Sequence, residues 1–246
     1  MMSSQFGCIC SEDIELKFYP QYNEMDWPAQ WVEDLGGYIC QSYHIVSDYA
    51  PLTGCPEIII VQKQYVAEIL KKAGLPEWVS AFTIEGTIYT LFDDKNARWK
   101  FIIDHEMFHA RVNMFLGSET CLPVWLNEGI AYYIGKNSVI DVWKLYEYTV
   151  EHFETVYGWI EKDQLLSSQN DMRYEIVKSL GAYICKTYGA GKIKSLIEKI
   201  KKVNRFEMAL SEAFGIDLPA LVNRWHDDLL RDLSRFKKGR KGLYID

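Results

Sequence analysis

The chain has 246 residues, of which 48% are apolar and 25% charged, and it carries a formal net charge of −7 at pH 7. That length and balance fit a globular fold with a sizeable core rather than a disordered chain. The acidic excess argues against nonspecific binding to nucleic acid or an anionic membrane, and no apolar run reaches the length of a membrane span.

The start, MMSSQFGCICSEDIEL, has neither a basic leader nor an apolar stretch of signal-peptide length, so a cytoplasmic location is expected. The cysteines are Cys8, Cys10, Cys40, Cys55, Cys121 and Cys185. No C-x-x-C pair occurs among them, which argues against a cysteine zinc site. They read as mostly buried or free thiols of a reducing compartment, with Cys8 and Cys10 forming a C-x-C near the terminus.

In chain order, the first ten or so residues lack periodicity and are expected to be loose. DIELKFYP, residues 13 to 20, alternates apolar and polar residues and predicts a strand. Residues 27 to 46 have helical spacing through Trp31, Leu35, Tyr38 and Ile39, weakened by Gly36 and Gly37. EIIIVQ, 57 to 62, is apolar on both faces and suits a strand inside a sheet. QYVAEILKKAG, 64 to 74, predicts an amphipathic helix stopped by Gly74 and Pro76. SAFTIEGTIYTLF, 80 to 92, predicts one long strand or two interrupted at Gly86.

After residue 93 the pattern turns helical. A helix runs through DHEMFHARVNMFL to a stop at Gly117, with Asp94 or Asn96 as candidate caps. A second, PVWLNEGIAYYIG, has Pro123 suited to its first turn. Further helices are expected over about 139–157, 172–188, 190–203, 205–214 and 218–235. With no Gly/Ser linker at 93, the expectation is one domain over 1–246. It has an α/β lobe (about 12–93), a helical lobe (about 94–235) and loose termini.

The chemistry concentrates in H-E-x-x-H, formed by His105, Glu106 and His109. On a helix, positions four apart share a face, so two imidazoles can converge on one tetrahedral zinc. Glu106 is offset by about 100° and can reach a water on the metal without ligating it. Zinc lowers the pKa of such a water, and a carboxylate can then take its proton. A catalytic zinc needs a third protein ligand, and Glu128 in LPVWLNEGIAYY can return to the metal if the second helix packs back on the first. Gly129 beside it permits close helix approach, while Trp125, Leu126, Ile130, Tyr132 and Tyr133 read as packing. His226 in RWHDD, beside two aspartates, reads as part of a solvated helix face rather than a second metal site, and His44 and His152, without partners in sequence, read as ordinary histidines.

H-E-x-x-H, eighteen residues, then W-L-N-E-G-[hydrophobic]-A-x-Y resembles the gluzincin metallopeptidases over residues 101 to 135. It is similar in particular to the aminopeptidase-N-like clan and its small peptidase-MA-like relatives. The resemblance implies an α+β zincin (thermolysin-like) catalytic domain. Its N-terminal α/β lobe would carry a mixed sheet with a substrate-binding edge strand, and its C-terminal lobe would be helical. It implies one zinc ion per chain, held by His105, His109 and Glu128, with Glu106 as general base and acid. RYEIVKSLGAYICKTYG, 173 to 189, is similar to the clan stretch whose tyrosine hydrogen-bonds the oxyanion. Tyr174 is the matching position, Tyr183 the second choice, and Val177 stands where the clan has a glycine. Residues 206 to 229 resemble the C-terminal helical pair of the small relatives.

By the same resemblance, AFTIEGTIYTLF is the strand that would pair with an extended peptide or protein substrate. The G-A-M-E-N motif that holds a free amine in the large aminopeptidases is absent, and Glu85 is not assigned that task. Endopeptidase and aminopeptidase action therefore stay open. Two other functions remain: a zinc-stabilised peptide-binding protein without turnover, and a zinc hydrolase acting on a non-peptide bond. The basic tail RFKKGRKGLYID reads as a solvated end, and the oligomeric state is left open.

Overall fold

A computed structural model of the protein describes residues 6–11, 14–20, 29–52, 54–62, 70–72, 79–92, 99–118, 120–136, 140–166 and 171–236. The fold is mostly helical with one small mixed sheet. The chain divides into two compact units, Met1–Glu119 and Thr120–Asp246.

The first unit holds β1 (Phe6–Ser11), β2 (Ile14–Pro20), α1 (Ala29–Ser47), β3 (Glu57–Gln62), β4 (Ala81–Ile84), β5 (Thr87–Phe92) and α2 (Trp99–Leu116). Sheet order is β1-β2-β3-β5-β4, with β2-β3 and β3-β5 parallel and the two outer pairs antiparallel. The strand at Phe6–Ser11 corrects the expectation of a loose N-terminus: its backbone pairs with β2 although its sequence lacks a clear alternation. Cys40 is disulfide-bonded, which corrects the reading of the cysteines as thiols at that position. Cys55, Cys121 and Cys185 are free. Most of the helix expected over 64–74, the cap candidates Asp94 and Asn96, and nearly all of the basic tail lie outside the described residues.

The β4–β5 hairpin shows why SAFTIEGTIYTLF is two strands. Glu85 (φ 49°) and Gly86 (φ 87°) both take left-handed backbone, the signature of a two-residue type I′ turn. A Cβ on Gly86 would also lie 2.5 Å from Met114 Cγ on α2, so the turn is seated against that helix. Alternation then sorts the faces. Thr83 opposes Ile88, which opposes Ile58, and Thr90 opposes Ile60. Ile58, Ile60, Ile88 and Thr90 are buried. On the other face Phe82 stacks on Tyr89 with ring centroids 5.0 Å apart. Strand β4 lies at the edge of the sheet.

The second unit is helical: α3 (Val124–Ile134), α4 (Val142–Glu161), α5 (Asp171–Val203), α6 (Phe206–Phe214) and α7 (Leu218–Phe236). Gly189 (φ 75°, ψ 166°) breaks α5 into the two stretches expected on either side of it. Trp225 of α7 is buried and donates its indole N–H to Ser179 Oγ at 3.1 Å. The closest approach in this unit is between backbones. A Cβ on Gly181 would lie 2.2 Å from the carbonyl carbon and oxygen of Gly129, and one on Gly129 would lie 2.8 Å from the Val177 carbonyl oxygen. The glycine beside Glu128 therefore serves the crossing of α3 with α5.

The crossing makes a prediction about two glycines of one helix. Gly181→Ala forces α3 and α5 apart and should cost about 1–3 kcal/mol in urea unfolding. Gly191→Ala, on the same helix with open space around it, should be neutral or stabilise by up to about 1 kcal/mol.

Candidate metal centre

The motif residues of the first unit lie on α2, an apolar helix whose Ile103, Met107, Phe108 and Ala110 are buried. Four residues apart, His105 and His109 bring their Nε2 atoms to 3.0 Å, with the rings at 80°. Two nitrogens each about 2.1 Å from a tetrahedral zinc lie roughly 3.4 Å apart, so the pair fits a shared metal with a small adjustment. His109 is buried and His105 half-buried.

Glu106 is also buried, at 7% exposure. Its carboxylate Oε2 accepts a hydrogen bond from Thr83 Oγ1 of β4 at 2.8 Å, and the same hydroxyl lies 3.2 Å from the Glu106 carbonyl oxygen. A buried carboxylate needs such a partner, because isolation from water disfavours its charge. Sequence reasoning missed Thr83. The available signal was the strand alternation, which puts Thr83 on the same face as Ile88.

Two further polar residues of α2 are held by α1 and the segment after it. Asp104 Oδ2 accepts from the Tyr38 hydroxyl at 2.7 Å, and burial together with this carboxylate pushes the Tyr38 phenol far above its usual pKa. Arg111 is fully buried; its guanidinium donates to the carbonyls of Tyr43 at 3.1 Å and Ala50 at 3.2 Å and lies 4.4 Å from the Tyr43 ring centroid. Burial lowers its pKa, yet arginine keeps its charge at physiological pH.

In the second unit α3 carries Glu128, which is half-buried. Pro123 is the N-cap residue rather than part of the first turn and offers no side-chain cap. The cap comes instead from Asp163, whose carboxylate accepts from Val124 N–H at 2.9 Å and Trp125 N–H at 3.3 Å. A carboxylate there satisfies orphan donors and complements the positive end of the helix. Nothing local in the sequence marks Asp163 for this task, since it lies 39 residues beyond Val124.

Tyr174 of α5 packs edge-on against Tyr132 of α3, with centroids 6.5 Å apart. Burial, then the charge of Glu128, raises the Tyr174 pKa. Tyr183 has other neighbours: burial raises its pKa most, and its charged surroundings are Asp228, Arg224 and Arg231. Of the two candidate tyrosines, Tyr174 is the one standing in the field of Glu128. Among the other histidines, His226 stacks on Phe153 at 4.3 Å and burial lowers its pKa. It is packed, where a solvated face was expected. His152 stacks on Tyr148 at 4.5 Å. A shallow cavity of about 600 Å³ on α4 and α5, lined by Lys144, Tyr148 and Met172 among others, contains none of the motif residues.

The profile of the Peptidase MA superfamily matches residues 75–231. Among solved structures, the chain is similar to a point mutant of the M1 zinc metallopeptidase from Deinococcus radiodurans. Identity is 10% and the TM-score 0.46, over 91% of this chain and 51% of that one, so the chain spans about half that enzyme's length. No curated protein matches significantly.

The remote cap on α3 can be tested directly. Asp163→Ala should lower stability by about 1 kcal/mol or more in chemical unfolding. Asp163→Asn, which keeps an acceptor oxygen and tolerates the left-handed backbone at this position (φ 51°), should cost less.

Proposed function

The chain belongs to the Peptidase MA superfamily, and from that premise we propose that it is a zinc-dependent peptidase. The observation that carries the reading is the His105–His109 nitrogen pair at 3.0 Å with the buried Glu106 carboxylate next to it on the same helix. We take His105, His109 and Glu128 as the ligands of one zinc ion per chain. When bound, zinc supplies Lewis-acid charge that polarises a carbonyl and acidifies water near neutral pH.

The remaining roles fall to the chain's own side chains. Glu106 takes a proton from the attacking water and returns it to the leaving amine. Tyr174 offers a neutral phenol O–H, suited to donating to the oxyanion of the tetrahedral intermediate. Among the described residues no strand pairs with the outer side of β4, and its main-chain groups would serve an extended peptide or protein substrate. Keeping a carboxylate buried beside the histidine pair favours turnover over mere peptide capture, because ligand binding by the two imidazoles has no need of it.

Metal analysis with a peptide-library digest tests this. The parent should carry about one zinc and cleave peptides. His109→Ala should lose the metal. Glu106→Gln should keep it while hydrolysis falls by at least about a hundredfold. If Glu106→Gln cleaves as well as the parent, the proposed mechanism is wrong. The same digest reads whether cleavage is internal or at the amino terminus.

A further inference from the structure

We propose that Thr83 is a positioning residue for the general base, coupling the edge strand to Glu106. The inference rests on the peptidase reading above. Thr83 is the third residue of the four-residue strand β4, and its hydroxyl lies 2.8 Å from Glu106 Oε2 and 3.2 Å from the Glu106 carbonyl oxygen. The hydroxyl has one proton and two acceptors within reach. Given to Oε2, the proton makes a charge-assisted bond that fixes the carboxylate rotamer and leaves Oε1 to receive the proton of the attacking water.

Three features fix Thr83 relative to α2. The register pairs Thr83 with Ile88, which is fully buried, so the side chain faces inward. The Glu85–Gly86 turn sets that register, and Gly86 is seated on Met114 of the same helix that carries Glu106. The β-branched side chain restricts χ1, so the hydroxyl direction follows the strand backbone. Phe82 and Ile84 alternate to the other face. A peptide added along the β4 edge would order the backbone that carries Thr83, and through its hydroxyl the carboxylate. Substrate pairing and alignment of the base would then be one event.

The test uses the full chain with Thr83→Val, which keeps shape and removes the hydroxyl, and Thr83→Ser, which keeps the hydroxyl. Thr83→Val should retain full zinc and lower kcat about tenfold with KM changed less than about twofold. Thr83→Ser should recover most of kcat. In the metal-free protein, the difference infrared spectrum should show a shifted carboxylate band for Thr83→Val and none for Thr83→Ser, with Glu106→Gln identifying the band. An unchanged kcat in Thr83→Val, a loss confined to KM, or no recovery with Thr83→Ser overturns the proposal. If Thr83→Val does not fold, the infrared band of Thr83→Ser decides: a band displaced from the parent position overturns it. Glu106→Gln separates the two readings. If it remains active, the peptidase mechanism fails. If it is inactive while Thr83→Val is fully active, only the role of Thr83 fails.

Discussion

Burying a polar helix is the constraint on which the first unit depends. Helix α2 takes Asp104, Glu106, His109 and Arg111 out of water along with its apolar residues, and each such group costs several kcal/mol unless a partner replaces the lost hydration. The partners come from other elements. Tyr38 and the carbonyls of Tyr43 and Ala50, from α1 and the segment after it, serve Asp104 and Arg111, and Thr83 of β4 serves Glu106. His109 instead meets His105 of the same helix, with Nε2 atoms 3.0 Å apart and rings nearly perpendicular. The chemistry-bearing residues thus also fix where α1 and β4 sit against α2. Removing one member leaves its partner buried without compensation, so function and folding are hard to vary separately here.

The second unit meets a different requirement. Its motif helix α3 is short, eleven residues, and lacks a local side-chain cap. Two nonlocal contacts stand in for one: the Asp163 carboxylate at its N-terminus and the backbone contact of Gly129 with Gly181. Both act within one turn or so of Glu128. The carboxylate is therefore carried on a segment whose position is set by main chain and by a fixed acceptor pair rather than by long flexible side chains.

Much of this was legible in the sequence, for definable reasons. The i, i+4 spacing of His105 and His109 and the stop at Gly117 are local patterns whose meaning depends on helical geometry alone: the two imidazoles do meet, and α2 ends at Leu116 as expected. The break at Gly189 and the strand Glu57–Gln62 inside the sheet were likewise readable from punctuation and apolar runs. What escaped were contacts between distant residues. Thr83 and Glu106 are 23 positions apart; alternation turns Thr83 to the face of Ile88 but does not name its partner. Gly181 did leave a trace, since a glycine inside a helical run costs about 1 kcal/mol and implies a packing reason. The strand at Phe6–Ser11 was missed because pairing with β2, not its own alternation, makes it a strand.

The hairpin that ends the sheet also sets a length. Strand β4 has four residues between Ala81 and Ile84 before the chain turns at Glu85 and Gly86. At about 3.3 Å per residue, that is a ruler of roughly 13 Å. A second chain laid along this edge can share only a few main-chain hydrogen bonds, each contributing about 1 kcal/mol in water. So short a ruler would hold an extended partner weakly and release it readily. It also gives another copy of the sheet little to grip, and shortness is one of the ways an exposed edge avoids becoming a template for aggregation.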